Sequence, residues 1–498
     1  MPTTSRPLRP KSVRPRSLGD LADLLRLPRP VADPTLTGVS HVAQSVLPGD
    51  LYVARQGARV HGADFVGAAR DAGAAAVLTD PAGATRLHGA LPVLVVADPA
   101  AVLGAVSAWL YDRPSEAFAL IGVTGTNGKT TTCYLLEAGM RAAGHVTGLI
   151  GTVETVIAGA TVPSARTTPE APELQALFAA MRERKVTAAA MEVSSHALAL
   201  GRVDGTAYAA GIFTNLSQDH LDFHADMDDY FAAKAKLFDG RSAAEIVNVD
   251  DEWAARLVRP GTVTVSAAGQ RAVWSAEHVV DTAGGGTAFT AVGPDGLRLD
   301  VSLDLAGSFN ASNALQALAA LHASGIDPAA ATAGMRHVAV PGRLERVDAG
   351  QEFLAFVDYA HKPGAVAAIL RVLRPLTKGS LIIVLGCGGD RDRGKRPLMG
   401  AVAARAADLL IVTDDNPRSE DPAAIRAEMR AGADSVPGAT TVEIPGRREA
   451  IAEAVRRAGA GDTVVVAGKG HEQGQEAGGI VTPFDDRVVL RELLGGRS

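Results

Sequence analysis

The sequence predicts an α/β protein of three domains, on three observations. Its 498 residues exceed what one hydrophobic core serves, because domains cluster near about 100–150 residues each. A strand, a glycine-rich turn and a helix follow one another over residues 118–143, the order that opens a nucleotide-binding sheet. From residue 381 to 468, strand-like and helix-like stretches alternate, as a doubly wound sheet requires.

Residues 1–19 hold Arg6, Arg9, Lys11, Arg14 and Arg16 and no acid, broken by Pro2, Pro7, Pro10 and Pro15. That composition reads as a solvated, disordered basic tail. Residues 20–115 form a first domain, in which AAAVLTD (74–80) and LPVLVVAD (91–98) are strand-like between alanine-rich helical stretches. Residues 116–342 form the second. It opens with strand 118–123 and a helix from Lys129 to about Ala143, which Gly144 stops. Further strands are expected at 187–193 and 208–214, and a β-rich patch at 262–305. Residues 343–498 form the third, with strands at 381–386, 409–414 and 463–468 and helices around 395–406, 422–431 and 447–458. Ligands of such sheets bind beyond the carboxyl ends of the strands. The charged clusters at 390–396, 414–421 and 469–472 fall there.

Composition narrows the function. Hydrophobic residues make up 47% and charged residues 21%, which is a packed globular balance. Aromatics at 4% leave the cores to Ala, Val and Leu. A net charge of −6 argues against a nucleic-acid binder, which needs a basic surface. Two distant cysteines, Cys133 and Cys387, suit a reducing, cytoplasmic setting rather than a disulfide framework. No apolar run reaches the length of a membrane span. The expected partners are small-molecule substrates, and the expected state is a monomer.

The first chemical motif is Gly125-Thr126-Asn127-Gly128-Lys129-Thr130-Thr131. Glycines admit phosphate oxygens to backbone N–H groups, the helix N-terminus adds positive potential, and the lysine neutralises the β- and γ-phosphates. Thr130 stands where a hydroxyl binds Mg²⁺. Position 123 is Val where the longer motif has Gly, but the strand before and helix after support nucleotide binding. Glu192, near the end of the next strand, is placed as a metal-holding carboxylate. His220 in NLSQDHLD is a candidate ligand. Lys234 in YFAAK reads, on composition alone, as a surface lysine. A P-loop phosphotransferase or nucleotide switch would share GTNGKT. A dinucleotide oxidoreductase is suggested by Gly386-Cys387-Gly388, but Arg391 occupies the place of the third glycine. A non-catalytic binding protein is the third alternative.

Twelve strings in order resemble the Mur ligase family: TGTNGKTTT, ARTTPE, MEVSSHAL, FTNLSQDHLDFH, YFAAK, VNVDDE, GSFNASNA, PGRLE, DYAHKP, GCGGDRDRGKRPLM, DDNPR and AGKGHEQ. The resemblance runs from about residue 36 to near the end. It implies a uridine-binding N-terminal domain, a P-loop ATPase-like central domain and a Rossmann-like C-terminal domain that binds an amino acid. It implies an ATP- and Mg²⁺-dependent amide-forming ligase of cell-wall precursor synthesis that works through an acyl phosphate. Lys129, His220 and Lys234 are its catalytic positions. Lys234 matches a lysine that CO₂ converts to a carbamate, which with Thr130, Glu192 and His220 would hold metal. Asn310, Asn313, Arg343, Asp358 and His361 match ATP contacts. Thr167, Thr168, Ser194 and Arg202 match contacts to the UDP-muramoyl substrate.

Asp415-Asn416-Pro417-Arg418 bears on which amino acid is added. An amino acid whose far end carries its own amine and carboxylate calls for a forked cation, and Arg418 suits bidentate capture. The resemblance agrees, since DNPR is typical of diaminopimelate-adding members, and Arg391, Gly468 and Glu472 match the rest of that pocket. One departure stands out. The family's uridine loop reads Asp-Ser-Arg, whereas this chain has Val42-Ala43-Gln44 before PGDLYVA. Either backbone contacts suffice there or the donor differs, as in a paralogue serving a specialised pathway.

Overall fold

The computed structural model describes residues 8–89, 91–162, 166–282 and 285–496. They divide into two compact units. The first comprises residues 1–277, 290–300 and 312–335, and the second residues 278–289, 301–311 and 336–498.

In the first unit, Gly38–Ser40, Asp50–Ala54, Ala76–Thr79 and Val93–Val95 form a parallel four-stranded sheet in that order. Helix Pro99–Leu110 starts at Asp98, whose side chain accepts from the Ala100 N–H, with Pro99 at the first helical position. Leu103, Val106 and Leu110 share a core with Leu51, Val53 and Leu78, and Ala171, Ala176 and Ala179 of helix Ala171–Glu183 close it. The first expected block is thereby packed onto the second.

The larger sheet sets Thr147–Ile150, Ala188–Glu192, Ala119–Thr124, Tyr208–Phe213, Ser242–Asn248 and Val263–Ser266 side by side, all parallel. Ala119–Thr124 is buried along nearly its whole length, so both its faces are apolar, as parallel strands covered on two sides are. Its neighbours lie on opposite sides, pairing Val123 with Glu192 and Thr124 with Phe213. The turn after Thr124 therefore opens where strand order reverses, the crevice in which such sheets bind ligands. Strands Trp274–Asp281, Thr287–Val292 and Arg298–Leu303 continue the order.

The second unit holds a six-stranded sheet ordered Glu345–Arg346, Leu354–Asp358, Thr463–Ala467, Leu381–Leu385, Leu409–Val412 and Thr441–Glu443. All but the first strand are parallel. Helices Pro363–Leu373, Lys395–Ala406 and Pro422–Asp434 share one core with it, and Arg447–Arg457 and Asp486–Gly495 share another. The register brings Asp358, Leu385 and Val412 level with Ala467 or with each other. Asp358, Asp415 and Gly468 thus emerge at one edge.

The expected basic tail is corrected from residue 8 onward; residues 1–7 lie outside the described residues. Arg9 donates to Val39 O at 2.9 Å and Asp50 Oδ2 at 3.0 Å, and it meets the Tyr111 hydroxyl. The Glu183 carboxylate accepts from the Lys11 and Ser12 N–H groups, each at 3.0 Å. Arg16–Ser17 pairs with Thr35–Leu36, and Ser17 caps helix Leu18–Leu24. These partners lie far along the chain, so local composition gave no sign of them. No described helix is long and apolar enough to cross a membrane.

Candidate active site

The phosphate loop runs from Gly125 to Gly128 between strand Ala119–Thr124 and helix Lys129–Ala142. Gly125 and Gly128 have φ of 145° and 85°, which side-chain-bearing residues rarely adopt. At Gly128 a Cβ would also press on the Asn313 side chain. That contact and Thr132 Oγ1 at 3.5 Å place Asn313 behind the loop. Lys129 Nζ donates to Gly125 O at 2.9 Å and Thr126 O at 3.0 Å. Thr131 is half-buried on the helix's first turn.

A buttress that the sequence reading missed fixes the loop. Asn215 O accepts from Thr126 N, Asn215 Oδ1 accepts from Asn127 N at 2.9 Å, and Thr214 Oγ1 donates to Asn127 O at 2.7 Å. Asn127 Nδ2 donates to Ser217 Oγ at 3.2 Å. The only sequence signal was that Asn215 and Ser217 lie in the string containing His220.

Glu192 is buried at its strand end. Its Oε1 accepts from Thr130 Oγ1 at 3.1 Å and Thr152 N at 2.8 Å, and its Oε2 from Thr152 Oγ1 at 3.2 Å. A hydroxyl and a carboxylate side by side are the hard oxygen donors that Mg²⁺ takes, so Thr130 and Glu192 fit the ion. His220 lies 3.5 Å from Asp219 Oδ2 and edge-on to His196. Among the described residues, no group of three His, Cys, Asp or Glu side chains is spaced to hold a metal.

Lys234 contradicts the surface reading. It is 1% exposed in helix Met227–Ala235, donates to Gly125 O at 2.7 Å, and stands 4.5 Å from the centroid of the Tyr230 ring. Burial, then the nearby Lys129, pushes its pKa well below the ordinary lysine value.

The Thr167–Ser194 region is ordered around the Glu192 backbone. Thr168 Oγ1 donates to Glu192 O at 2.8 Å and accepts from Ser194 N at 3.2 Å. The Thr152 and Thr167 hydroxyls meet at 2.9 Å, and Ser194 caps helix Ser195–Ala199. Arg202 is 2.8 Å from Glu170, and Arg55 is 3.7 Å from the same carboxylate, which Arg166 also pairs with. Three guanidiniums thus converge on one carboxylate. Burial lowers the Arg202 pKa, and Arg166 and Arg55 oppose Glu170 in the same sense. Burial, with Arg55 adding to it, holds nearby His41 at about 4. Arg166 and Glu170 lie in the string ARTTPE without an assigned role, and Arg55 lies in none of the twelve strings. Val42-Ala43-Gln44 enters a short 3₁₀ turn, Ala43–Ser45, with Ala43 buried.

In the second unit, Asp358 accepts from Leu344 N and Ala360 N, each at 2.7 Å, and burial raises its pKa despite Arg343. Arg343 stacks 4.6 Å from the centroid of Tyr359. His361 meets Tyr359 O at 2.8 Å, and burial lowers it to about 4. Asn310 donates to Ala306 O at 2.9 Å.

The Asp415–Arg418 loop forms a separate cluster in this unit. Asp415, Asn416 and Pro417 are buried. Arg418 adopts φ 53° and donates to Gly389 O at 2.7 Å. A Cβ on Gly388 would lie 2.9 Å from Arg418 Nη1 and 3.9 Å from Arg391 Cγ, so both arginines flank that glycine. Glu472 Oε2 accepts from Asn416 Nδ2 at 2.8 Å. Gly468 has φ 115°, and a Cβ there would stand 2.7 Å from Asp415 Oδ2. Behind them Arg447, wholly buried with Asp486, donates to Asp414 O and Ala467 O at the two strand ends that carry the loop. The structure also brings in Lys469 of AGKGHEQ, for which no local signal in the sequence indicates a role.

Models of three families match in series: "Mur ligase family, catalytic domain" over residues 35–108, "Mur ligase middle domain" over 123–321, and "Mur ligase, glutamate ligase domain" over 342–470. The chain is 54% identical to the UDP-N-acetylmuramoyl-L-alanyl-D-glutamate–2,6-diaminopimelate ligase of Streptomyces avermitilis over 98% of each chain. It is 52% identical to the enzyme of that name from Corynebacterium glutamicum over 89% of each. A solved structure of a ligase with the same name superposes at a TM-score of 0.67 and 33% identity, covering 95% of this chain and 96% of that one.

Proposed function

The chain belongs to the Mur ligase family, and on that premise we propose that it joins meso-2,6-diaminopimelate to the D-glutamate carboxylate of UDP-N-acetylmuramoyl-L-alanyl-D-glutamate, with ATP as the energy source. The observation that carries this reading is the coexistence of two clusters. One is a phosphate loop backed by a buried carboxylate, with Thr130 3.1 Å from Glu192. The other is an arginine-bearing pocket in which Asn416 is bonded to Glu472. A phosphotransferase or nucleotide switch has use for the first and none for the second.

The chemistry follows from charge. A carboxylate attacks an anionic triphosphate only when cations offset their repulsion. Lys129 and the loop N–H groups supply part of that field, and Mg²⁺, held by Thr130 and Glu192, would supply the rest as a Lewis acid. The carboxylate oxygen takes the γ-phosphoryl group and ADP leaves. The amine then attacks the acyl phosphate, phosphate departs, and an amide remains. We propose that Lys234 serves as a carbamate, whose oxygens suit Mg²⁺ where an ammonium would repel it. His220 is the further ligand in this reading. Arg343, Asp358, His361, Asn310 and Asn313 are proposed as ATP contacts. Thr167, Thr168, Ser194 and Arg202 are proposed to hold the nucleotide-sugar donor, and Arg391, Arg418, Gly468 and Glu472 the amino acid.

A second reading, ligation to a different carboxylate donor, is favoured by Val42-Ala43-Gln44, which presents none of the charges of the usual uridine loop. A phosphate-release assay separates the two. Purified protein is given UDP-muramoyl-L-alanyl-D-glutamate with diaminopimelate, lysine and other amino acids in turn. Release that needs both this donor and diaminopimelate supports the first reading. Silence with this donor, in protein that binds ATP, discards it.

A further inference from the structure

Lys469 has a side chain with no solvent exposure. A lone ammonium in such a place is costly unless hydrogen-bonded and countered by charge. Its Nζ donates to Asn416 Oδ1 at 2.9 Å and stands 3.5 Å from Glu472 Oε2 and 3.6 Å from Asp415 Oδ1. The Glu476 N–H also donates to Asn416 Oδ1, at 3.0 Å.

Two donors on one amide oxygen settle which end of Asn416 is which, because neither an ammonium nor a backbone N–H can accept. The Asn416 NH₂ must then face Glu472, and it donates to Oε2 at 2.8 Å. Glu472 Oε2 is engaged by Asn416 and Lys469 together, so the carboxylate is held from one side. Among the described residues no hydrogen bond engages its other oxygen, which is thereby able to accept from an external ammonium. Lys469 follows Gly468 directly, and Gly468 lies against Asp415.

We infer that Lys469 is a positioning residue for the incoming amino acid: it fixes the Asn416 amide and, through it, the Glu472 carboxylate that receives the ligand's amine. This rests on the diaminopimelate reading above. Lys469 does not touch the ligand; it sets the direction and spacing of the groups that do. Such pre-orientation lowers the cost of binding one substrate without altering the phosphate loop.

The test is steady-state kinetics of full-length Lys469→Met and Lys469→Gln with each substrate varied in turn. Methionine fills the volume without a donor, whereas glutamine keeps an N–H for Asn416 Oδ1. Lys469→Met is expected to raise KM for diaminopimelate about tenfold or more, the scale of one charge-assisted hydrogen bond. KM for ATP and for the nucleotide-sugar donor should stay within about twofold. Lys469→Gln is expected to show a smaller rise. An unchanged KM for diaminopimelate in folded Lys469→Met overturns the inference, and so does an equal rise for all three substrates. Should Lys469→Met fail to fold, Lys469→Gln decides alone: a rise confined to diaminopimelate supports the inference and no rise overturns it. Wild-type protein is assayed first. If it does not consume diaminopimelate, the substrate reading has failed; if it does and the variants match it, only the role of Lys469 has.

Discussion

Lys129 and Lys234 donate to the same carbonyl oxygen, that of Gly125, at 2.9 and 2.7 Å. Two ammonium groups on one acceptor repel each other, and one of them is buried. The lysine that gives way is Lys234, whose pKa is lowered by burial first and by Lys129 second. Only a neutral amine adds to CO₂, so this arrangement favours the reactive form, and the carbamate proposed above would turn one cation of the pair into an anion.

The first prediction follows from that exchange of sign. Protein equilibrated with ¹³C-bicarbonate should show a carbamate resonance that Lys234→Met lacks. The variant should lose about a hundredfold or more of its turnover, the scale of removing one electrostatic stabiliser, while nucleotide binding by calorimetry persists. Full activity in Lys234→Met would remove the carbamate from the mechanism.

Arg418 carries the second. Its guanidinium lies against Gly388 beside Arg391, and its backbone holds φ 53°, strain of a kind found at binding sites. Arg418→Ala should lower kcat/KM for diaminopimelate about a hundredfold or more, with KM for ATP unchanged. Arg418→Lys should recover little, since an ammonium cannot fork across a carboxylate. Equal kinetics in wild type and Arg418→Ala would assign the carboxylate to another residue.

The third prediction concerns stability. Arg447 and Asp486 are both wholly buried, with Nη2 and Nε each 2.7 Å from the carboxylate. Arg447→Met leaves Asp486 without its counter-charge and frees the Asp414 and Ala467 carbonyls. Breaking such a pair costs about 3–5 kcal/mol. Denaturant titration should show that loss, and diaminopimelate affinity should fall with it. The double variant Arg447→Met with Asp486→Leu should regain much of the stability. If it is as unstable as the single variant, the unpaired carboxylate is not the cause.

What the sequence made legible was what is local. The parallel strands declare themselves by apolar runs, and the glycines of the phosphate loop by the turn they must make. Glu192 ends its strand and Arg418 lies on the loop that follows one, where chemistry is expected. Pairings across the chain were illegible. Arg9 looked like a solvated charge because Asp50 is 41 positions away. Lys234 looked like a surface lysine because nothing nearby says that its helix turns it under Gly125. Lys469 showed no role in the sequence because Asp415 and Asn416 reach it only when the ends of strands Leu409–Val412 and Thr463–Ala467 come together.

The last prediction concerns the donor. The Val42-Ala43-Gln44 turn offers no charge, yet Arg55, Arg166 and Arg202 surround Glu170. The three guanidiniums, with Glu170 and Glu173 as nearby acids, form a charged cluster that an anionic group of the donor can join. Arg55→Ala should therefore raise KM for the nucleotide-sugar donor about tenfold, as one exposed-to-half-buried charge contact would. The effect should shrink at high salt, where screening weakens such contacts, and KM for ATP should not move. Glu170→Gln removes the competing carboxylate and should act in the opposite direction, lowering KM for the donor provided the three arginines keep their positions. Circular dichroism and melting temperature check that proviso. Unchanged donor kinetics in Arg55→Ala at low salt would show that this cluster serves packing alone and that the donor is held elsewhere.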